Sequence, residues 1–346
     1  MKYPDDFKNK ILCGDTLTEL KKFPDDCIDC VVTSPPYFNL RSYLPVGHKD
    51  KSKEIGLEKT YQEFIKKLID VFDEVKRVLK KDGTCFVNLG DSYGGSGMGI
   101  SYAGKTCGPN SILKGKLDKF PSVGHTRGKM DKCLMMIPER FAIAMIDKKW
   151  ILRNKLVWIK QNAMPESVQD RWKKAHEYIF FFVKNKKYYF DLDKIRTPHK
   201  LVSINRARYE QGRNALGQNS SSMGEKYNRD KKHKDGTEKY YNMPARQVKL
   251  NPKGAVPPDF LEVNTNCRER DIDRNHYATF PQDLIIPLIK AGCPKGGIIL
   301  DPFAGTCTTA IVAKQLQINY VMIELNSKDV ERAKARIKAQ PQPLDL

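Results

Sequence analysis

Tyr61, Phe64, Ile65, Leu68, Val71, Phe72, Val75, Val78 and Leu79 recur at three- and four-residue steps, the spacing that gathers side chains on one face of a helix. Thr60 and Glu63 stand where a capping box opens such a helix, and Gly83 is read as its end. The pattern then changes. Residues 84–89 form a short, largely apolar run that predicts a buried strand, as do 27–32, 151–159 and 177–184. Residues 134–146 predict a further helix. Near the far end, 296–324 read as strand, glycine turn, helix and strand, with Glu324 closing the second strand. The elements together predict an α/β fold.

Two stretches break this rhythm. Residues 90–99 are rich in glycine and begin a long loop over about 92–130, of a length that is usually functional, read either as a DNA-contacting flap or as a plain insertion. From 200 to 274 apolar residues thin out and Arg, Lys, Asn, Gln and Gly abound, so this segment cannot build a large core of its own. Three regions result: 1–199, 200–274 and 275–346. Within the middle region Arg206, Arg208, Arg213, Arg246, Arg268 and Arg270 are candidates for phosphate or guanine contacts.

Chemistry enters at Thr33-Ser34-Pro35-Pro36-Tyr37, just past the 27–32 strand. Each proline lacks an N–H, fixes its own φ and restricts the residue before it. Ser34 Oγ and the Pro35 carbonyl thus form a stiff pair of acceptors beside an aromatic face, a match for the exocyclic amine of a nucleobase. A second signal is Asp301-Pro302-Phe303-Ala304-Gly305-Thr306, followed by Glu324 at close to the spacing that brings a carboxylate to ribose hydroxyls in a βαβ unit. The turn lacks the Gly-x-Gly-x-x-Gly spacing that admits a pyrophosphate, and no phosphate loop occurs. A nucleoside-bearing cofactor without phosphate, S-adenosylmethionine (SAM), fits better. Asp301 is read as facing its ammonium group, with Gly305 allowing close backbone approach.

With these motifs the chain resembles the beta class of DNA amino-methyltransferases, in which the catalytic Ser-Pro-Pro-Tyr precedes the target-recognition region and the cofactor motif comes last. The likeness spans nearly the whole chain and includes residues 11–15 and 276–281. It implies a circularly permuted, Rossmann-like SAM-dependent methyltransferase fold with the target-recognition region inserted at 200–274. Ser34, Pro35, Pro36 and Tyr37 would be catalytic. Asp15, Thr33, Thr279, Phe280, Asp301, Phe303, Ala304, Gly305, Thr306 and Glu324 would bind the cofactor, Asp15 at its adenine, Thr279 and Phe280 at its methionine end. Ser in the first motif position is more typical of cytosine-N4 than of adenine-N6 enzymes, which favours N4-methylcytosine in double-stranded DNA and membership of a restriction-modification system with a cognate endonuclease.

Composition agrees with a polyanionic partner: Lys and Arg number 61 against 41 Asp and Glu, a formal charge of +20. No apolar run is long enough to span a bilayer and residues 1–5 lack a signal peptide's apolar core, so a cytoplasmic protein is expected. Nine cysteines fit a reducing compartment. Cys27 and Cys30 have metal-like spacing without a second pair, and His176 and His276 are read as local hydrogen-bonding residues, so no metal is expected. No Pro-Cys dipeptide is present, which argues against covalent methylation at cytosine C5. A nicotinamide dehydrogenase, a non-catalytic DNA-binding protein and an RNA or protein amino-methyltransferase are the competing readings. Trp158, Trp172 and the aromatic run 188–190 either stack on DNA or pack the core.

Overall fold

The computed structural model describes residues 6–40, 42–45, 47–94, 130, 132–163, 165–207, 250–265 and 280–340. Most of the 92–130 loop, Thr279, His276 and every arginine singled out above except Arg206 lie outside them. The chain divides into two compact units, Met1–Asp191 with Pro258–Leu346, and Leu192–Pro257.

In the larger unit eight strands form one sheet in the order β1-β8-β7-β2-β3-β5-β4-β6. They are β1 (Lys10–Cys13), β2 (Ile28–Thr33), β3 (Leu79–Leu89), β4 (Ile151–Ile159), β5 (His176–Val183), β6 (Phe260–Glu262), β7 (Ile298–Asp301) and β8 (Asn319–Glu324). The sheet is mixed: β1, β8, β7, β2 and β3 run parallel, while β5 is antiparallel to both β3 and β4. The helices are α1 (Thr16–Leu20), α2 (Tyr61–Val78), α3 (Ile137–Asp147), α4 (Gln282–Gly292), α5 (Thr308–Gln315) and α6 (Ser327–Ala339).

The central strands are largely apolar because both faces are covered. Val31, Val87, Leu300, Val321 and Phe182 enter one core with Phe64, Leu68, Phe72 and Val75 of α2 and Phe141 of α3. Their neighbours Val32, Phe86, Ile299, Met322 and Phe181 enter a second core with Leu284 and Ile289 of α4 and Ala310 and Val312 of α5. Strict two-residue alternation thus sorts each strand between two helical layers.

The Thr60 cap of the predicted capping box forms, with Thr60 Oγ1 accepting from the Glu63 amide at 3.2 Å. The helix stops at Val78, before the expected end at Gly83. Leu79 turns extended (φ −69°, ψ 134°) and pairs with Ile28 of β2, so residues 79–83 join the strand. The 134–146 helix begins at Ile137, because Met136 adopts a left-handed conformation ahead of Pro138. Trp158 and Tyr188 pack in the second core, the Trp158 indole N–H donating to the Val263 carbonyl at 2.8 Å, and Phe190 stacks on Phe181. Among the described residues, no helix is long and apolar enough to cross a membrane.

In the smaller unit, Asp193 accepts from Arg196 Nε and Lys253 Nζ, both at 2.6 Å. His199 meets the Asn251 carbonyl at 2.7 Å, and Thr197 pairs with Ala255. These contacts hold the two described ends of the unit together.

Candidate active site

Crossovers leave the sheet centre in opposite directions: β2 leads through α2 to β3 on one side, and β7 leads through α5 to β8 on the other. A crevice opens at the carboxyl ends of strands flanking such a switch. Val31 is in register with Leu300, so Ser34 and Phe303, each three residues further on, emerge side by side. Cys13 is in register with Glu324, which brings Asp15 to the same edge. The Thr16 hydroxyl fastens α1 to the turn after β7 by donating to the Pro302 carbonyl at 2.7 Å.

The resulting cleft is lined by Asp15, Ser34, Pro36, Phe303, Gly305 and Glu324, all anticipated, together with Tyr43, Leu44, Ile55, Asn326 and Asp329, which were not. Tyr43, Leu44 and Ile55 come from the irregular segment after the Ser-Pro-Pro-Tyr motif, where no periodicity marks a wall-forming residue. Carboxylates dominate the charged lining. Asp15, Glu54, Glu324 and Asp329 face it against the single ammonium of Lys53. Glu54 is paired with Lys51 and Asp329 with Arg332, whereas Asp15 accepts from the Thr18 amide and hydroxyl. Glu324 is held open-handed by backbone: its Oε2 accepts from the Gly305 amide and its Oε1 from the Asn326 amide, each at 2.8 Å. Gly305 turns at φ +52°, a conformation glycine adopts at little cost.

Five expected cofactor contacts are placed elsewhere. Asp301 is buried behind the cleft rather than facing it. One oxygen accepts from the Thr33 hydroxyl (2.6 Å) and the Phe303 amide (3.1 Å), the other from the Thr309 hydroxyl (2.7 Å). Burial outweighs these bonds and pushes its carboxyl up to about 6. Thr33 is therefore occupied in holding Asp301. Thr306 is buried and accepts from Arg336 Nη1 at 2.6 Å. Ala304 is buried with its amide bonded to the Ile323 carbonyl, and Phe280 packs in the second core. Each supports the turn or the sheet instead of lining the cleft.

Behind Ser34 lies a polar group drawn from β3, β5 and Lys160, the residue just past β4. Ser34 Oγ donates to Asn88 Oδ1 at 3.3 Å. Asn88 Nδ2 donates to the Tyr178 carbonyl, which can only accept, so the amide's orientation is settled and its oxygen faces Ser34. The serine proton is thereby directed inward and its lone pairs are left outward. The Tyr37 hydroxyl donates to Glu177 Oε2 at 2.6 Å, and Lys160 pairs with the other oxygen of Glu177. Burial first, and then the Glu177 charge, raise the Tyr37 phenol well above its ordinary range, so it remains a donor. Its ring lies against Gly90, where a Cβ would sit 2.5 Å from Tyr37 Cε2. Asn88, Lys160 and Glu177 carry no motif of their own; the fold brings Glu177 to Tyr37 from 140 residues away. Cys27 and Cys30 are buried, and the Thr84 hydroxyl donates to Cys30 Sγ.

A family model described as DNA methylase matches residues 28–335, a span that takes in the Ser-Pro-Pro-Tyr turn, every strand of the sheet except β1 and the Asp-Pro-Phe-x-Gly turn. The chain belongs to this DNA methylase family, which joins N6 and N4 enzymes. Type II methyltransferase M.XycI of Xanthomonas campestris pv. cyanopsidis is 34% identical over 327 residues, covering 94% of this chain and 87% of the relative. Type II methyltransferase M.Cfr9I of Citrobacter freundii is 33% identical over the same shares. M.SmaI of Serratia marcescens is 32% identical over 328 residues, covering 95% and 90%. Among solved structures, PvuII DNA methyltransferase (cytosine-N4-specific) superposes with a TM-score of 0.58 at 17% identity, covering 97% of this chain and 88% of that one. That likeness establishes the fold of the methylase: a mixed α/β sheet of the SAM-dependent methyltransferase type, with the permuted order of motifs.

Proposed function

We propose that this DNA methylase transfers a methyl group from SAM to the exocyclic N4 amine of a cytosine in double-stranded DNA, as the modification enzyme of a type II system. The observation that carries the reading is that Ser34 and Pro36 line the same cleft as Asp15, Phe303, Gly305 and Glu324. The cleft fits SAM rather than a dinucleotide. Its charged lining is mainly carboxylate, which repels phosphates and suits a cation, and its apolar wall of Phe303, Leu44 and Ile55 suits an adenine ring.

Glu324 would hold the ribose hydroxyls and Asp15 would contact the adenine side. Asp301 acts indirectly by fixing the Phe303 amide and Thr33. When bound, SAM supplies an electrophilic methyl carbon for direct, in-line transfer to the amine. The target base must leave the stack, because its amine is otherwise paired and shielded. Tyr37 would stack on the base, and Glu177 keeps its ring from rotating away. Ser34, its hydroxyl hydrogen bonded to Asn88 Oδ1, offers lone pairs to one N–H of the amine, and the Pro35 carbonyl offers another acceptor. Both bonds draw the nitrogen out of conjugation. The proton it sheds after methylation leaves through Ser34, Pro35 or water. Segment 200–274 would select the target sequence, and a cognate endonuclease would be the partner in the cell.

Cytosine is favoured by the serine of Ser-Pro-Pro-Tyr and by the cytosine-N4 specificity of the PvuII enzyme, which shares the fold. Digesting DNA methylated by the purified protein and separating the nucleosides by mass tests the assignment. N4-methylcytosine is expected. N6-methyladenine as sole product would reassign the base, and no methylated nucleoside would remove the activity.

A further inference from the structure

Trp172 is 92% exposed, whereas the chain's other two tryptophans, Trp150 and Trp158, are 3% and 4% exposed. An isolated exposed leucine needs no explanation, but a fully solvated indole is a large apolar surface left out of the core. The residues beside it are tethered. Arg171 donates to Glu166 Oε2 at 2.7 Å and its guanidinium lies 4.0 Å from the centre of the Tyr93 ring. Lys174 Nζ donates to the Asp91 carbonyl, and Lys132 pairs with Asp170 at 2.6 Å. The loop is thus pinned on both sides of Trp172, so the outward indole is held in place rather than left on a frayed tip.

The position of this loop bears on the cleft. It joins β4 to β5 over residues 160–175, and Ile159 faces His176 at its base. Tyr178 of β5 is in register with Leu89 at the carboxyl end of β3, so the loop rises from the sheet edge that carries the Ser34–Tyr37 turn. The loop's first residue, Lys160, and the strand residue Glu177, just past its end, form the ion pair that anchors the Tyr37 hydroxyl. The loop holds Lys160, Arg171, Lys173 and Lys174 against Glu166 and Asp170, within a chain of formal charge +20.

We infer that Trp172 is a DNA-contacting residue whose indole stacks on a base of the bound duplex beside the site of base extrusion. This rests on the proposed activity on DNA. A flat aromatic flanked by cations on the edge where a base is to be extruded suits the exposed face of a nucleobase next to phosphates. Lys173, exposed beside the ring, offers a phosphate contact and the indole the stacking surface. A neutral lipid surface or an apolar protein groove would match the ring but not the cations around it.

The burial of Trp150 and Trp158 makes Trp172 the tryptophan that acrylamide can reach, and this supplies the test. The full chain, with SAM present, is titrated with a plasmid restriction fragment that the wild-type protein methylates, and tryptophan fluorescence is quenched with acrylamide at each point. DNA is expected to shield the quenchable fraction. Trp172→Phe should abolish that fraction while keeping DNA affinity near wild type. Trp172→Ala should weaken DNA binding by roughly 5- to 150-fold, the range for losing one base-stacking aromatic, with SAM affinity unchanged. A methylated fragment that leaves Trp172 fully quenchable, or Trp172→Ala binding DNA as wild type does, would overturn the inference and leave the methylase reading intact. Shielding that rises with protein concentration in the absence of DNA would instead show a protein contact and overturn it too. Methylation of no fragment at all would remove the proposed activity and this inference with it.

Discussion

Replacing Asp301 by asparagine tests whether the shape of the cleft depends on a buried charge or only on its hydrogen bonds. The amide of the D301N variant would keep an oxygen toward the Thr33 hydroxyl and the Phe303 amide. Its nitrogen would face Thr309, whose hydroxyl can turn from donor to acceptor. What the variant loses is the charge. Burial raises the Asp301 carboxyl from 3.8 to about 6, so the folded state holds this proton more tightly than the unfolded chain. Its contribution is therefore fully present below the unfolded value and is lost as pH rises through the folded one. The whole shift corresponds to about 3 kcal/mol, of which roughly half falls between about pH 7.5 and about pH 5. Urea unfolding of wild type and D301N at those two pH values isolates the group, since other titrations cancel in the difference. Wild type should gain on the order of 1 kcal/mol on the variant as the solution is acidified. SAM affinity, measured by calorimetry near neutral pH, should stay within a few-fold in D301N, because the carboxylate does not face the cleft. A stability difference that does not move with pH would refute the burial argument, and loss of SAM binding in a folded D301N would restore a direct contact.

Glu324→Ala should weaken SAM binding by about 1.5–3 kcal/mol, the range for one charged hydrogen bond, and calorimetry on the folded variant checks it. Ser34→Ala should slow single-turnover methyl transfer with SAM binding intact; full activity would rule out the serine as an acceptor. Tyr37→Phe should be milder than Tyr37→Ala, which loses base stacking of about 1–3 kcal/mol, and equal rates for the two would remove the stacking role. Exchanging residues 200–274 for the corresponding segment of a relative should change the methylated sequence before it changes SAM affinity, as read from cleavage protection or sequencing of methylated DNA. DNA affinity should also fall steeply with salt, since phosphate contacts release counterions.

The apolar patterning by itself determined the layered architecture. Val31 and Val32, or Phe86 and Val87, are adjacent residues sent to opposite cores, and a run apolar at every position predicts a strand buried on both sides. The helical face from Phe64 to Val78 and its Thr60 cap were equally legible, because capping and periodicity act over a few residues. So were the two motifs whose residues meet in the cleft, Ser34 with Pro36 and Phe303 with Gly305. What local pattern did not decide was which way each motif side chain faces. Thr33 and Asp301 spend their polar atoms on each other across 268 residues of sequence, and an acidic residue in such a motif reads the same whether it meets a ligand or a neighbouring hydroxyl. Leu79 joined β3 through pairing with Ile28, overriding the reading that placed the helix end at Gly83. Lys160, Asn88 and Glu177 reach Ser34 and Tyr37 only because β3, β4 and β5 lie side by side beyond β2. Strand order and register place polar groups from distant segments within hydrogen-bonding distance, and no local stretch of sequence carries that information.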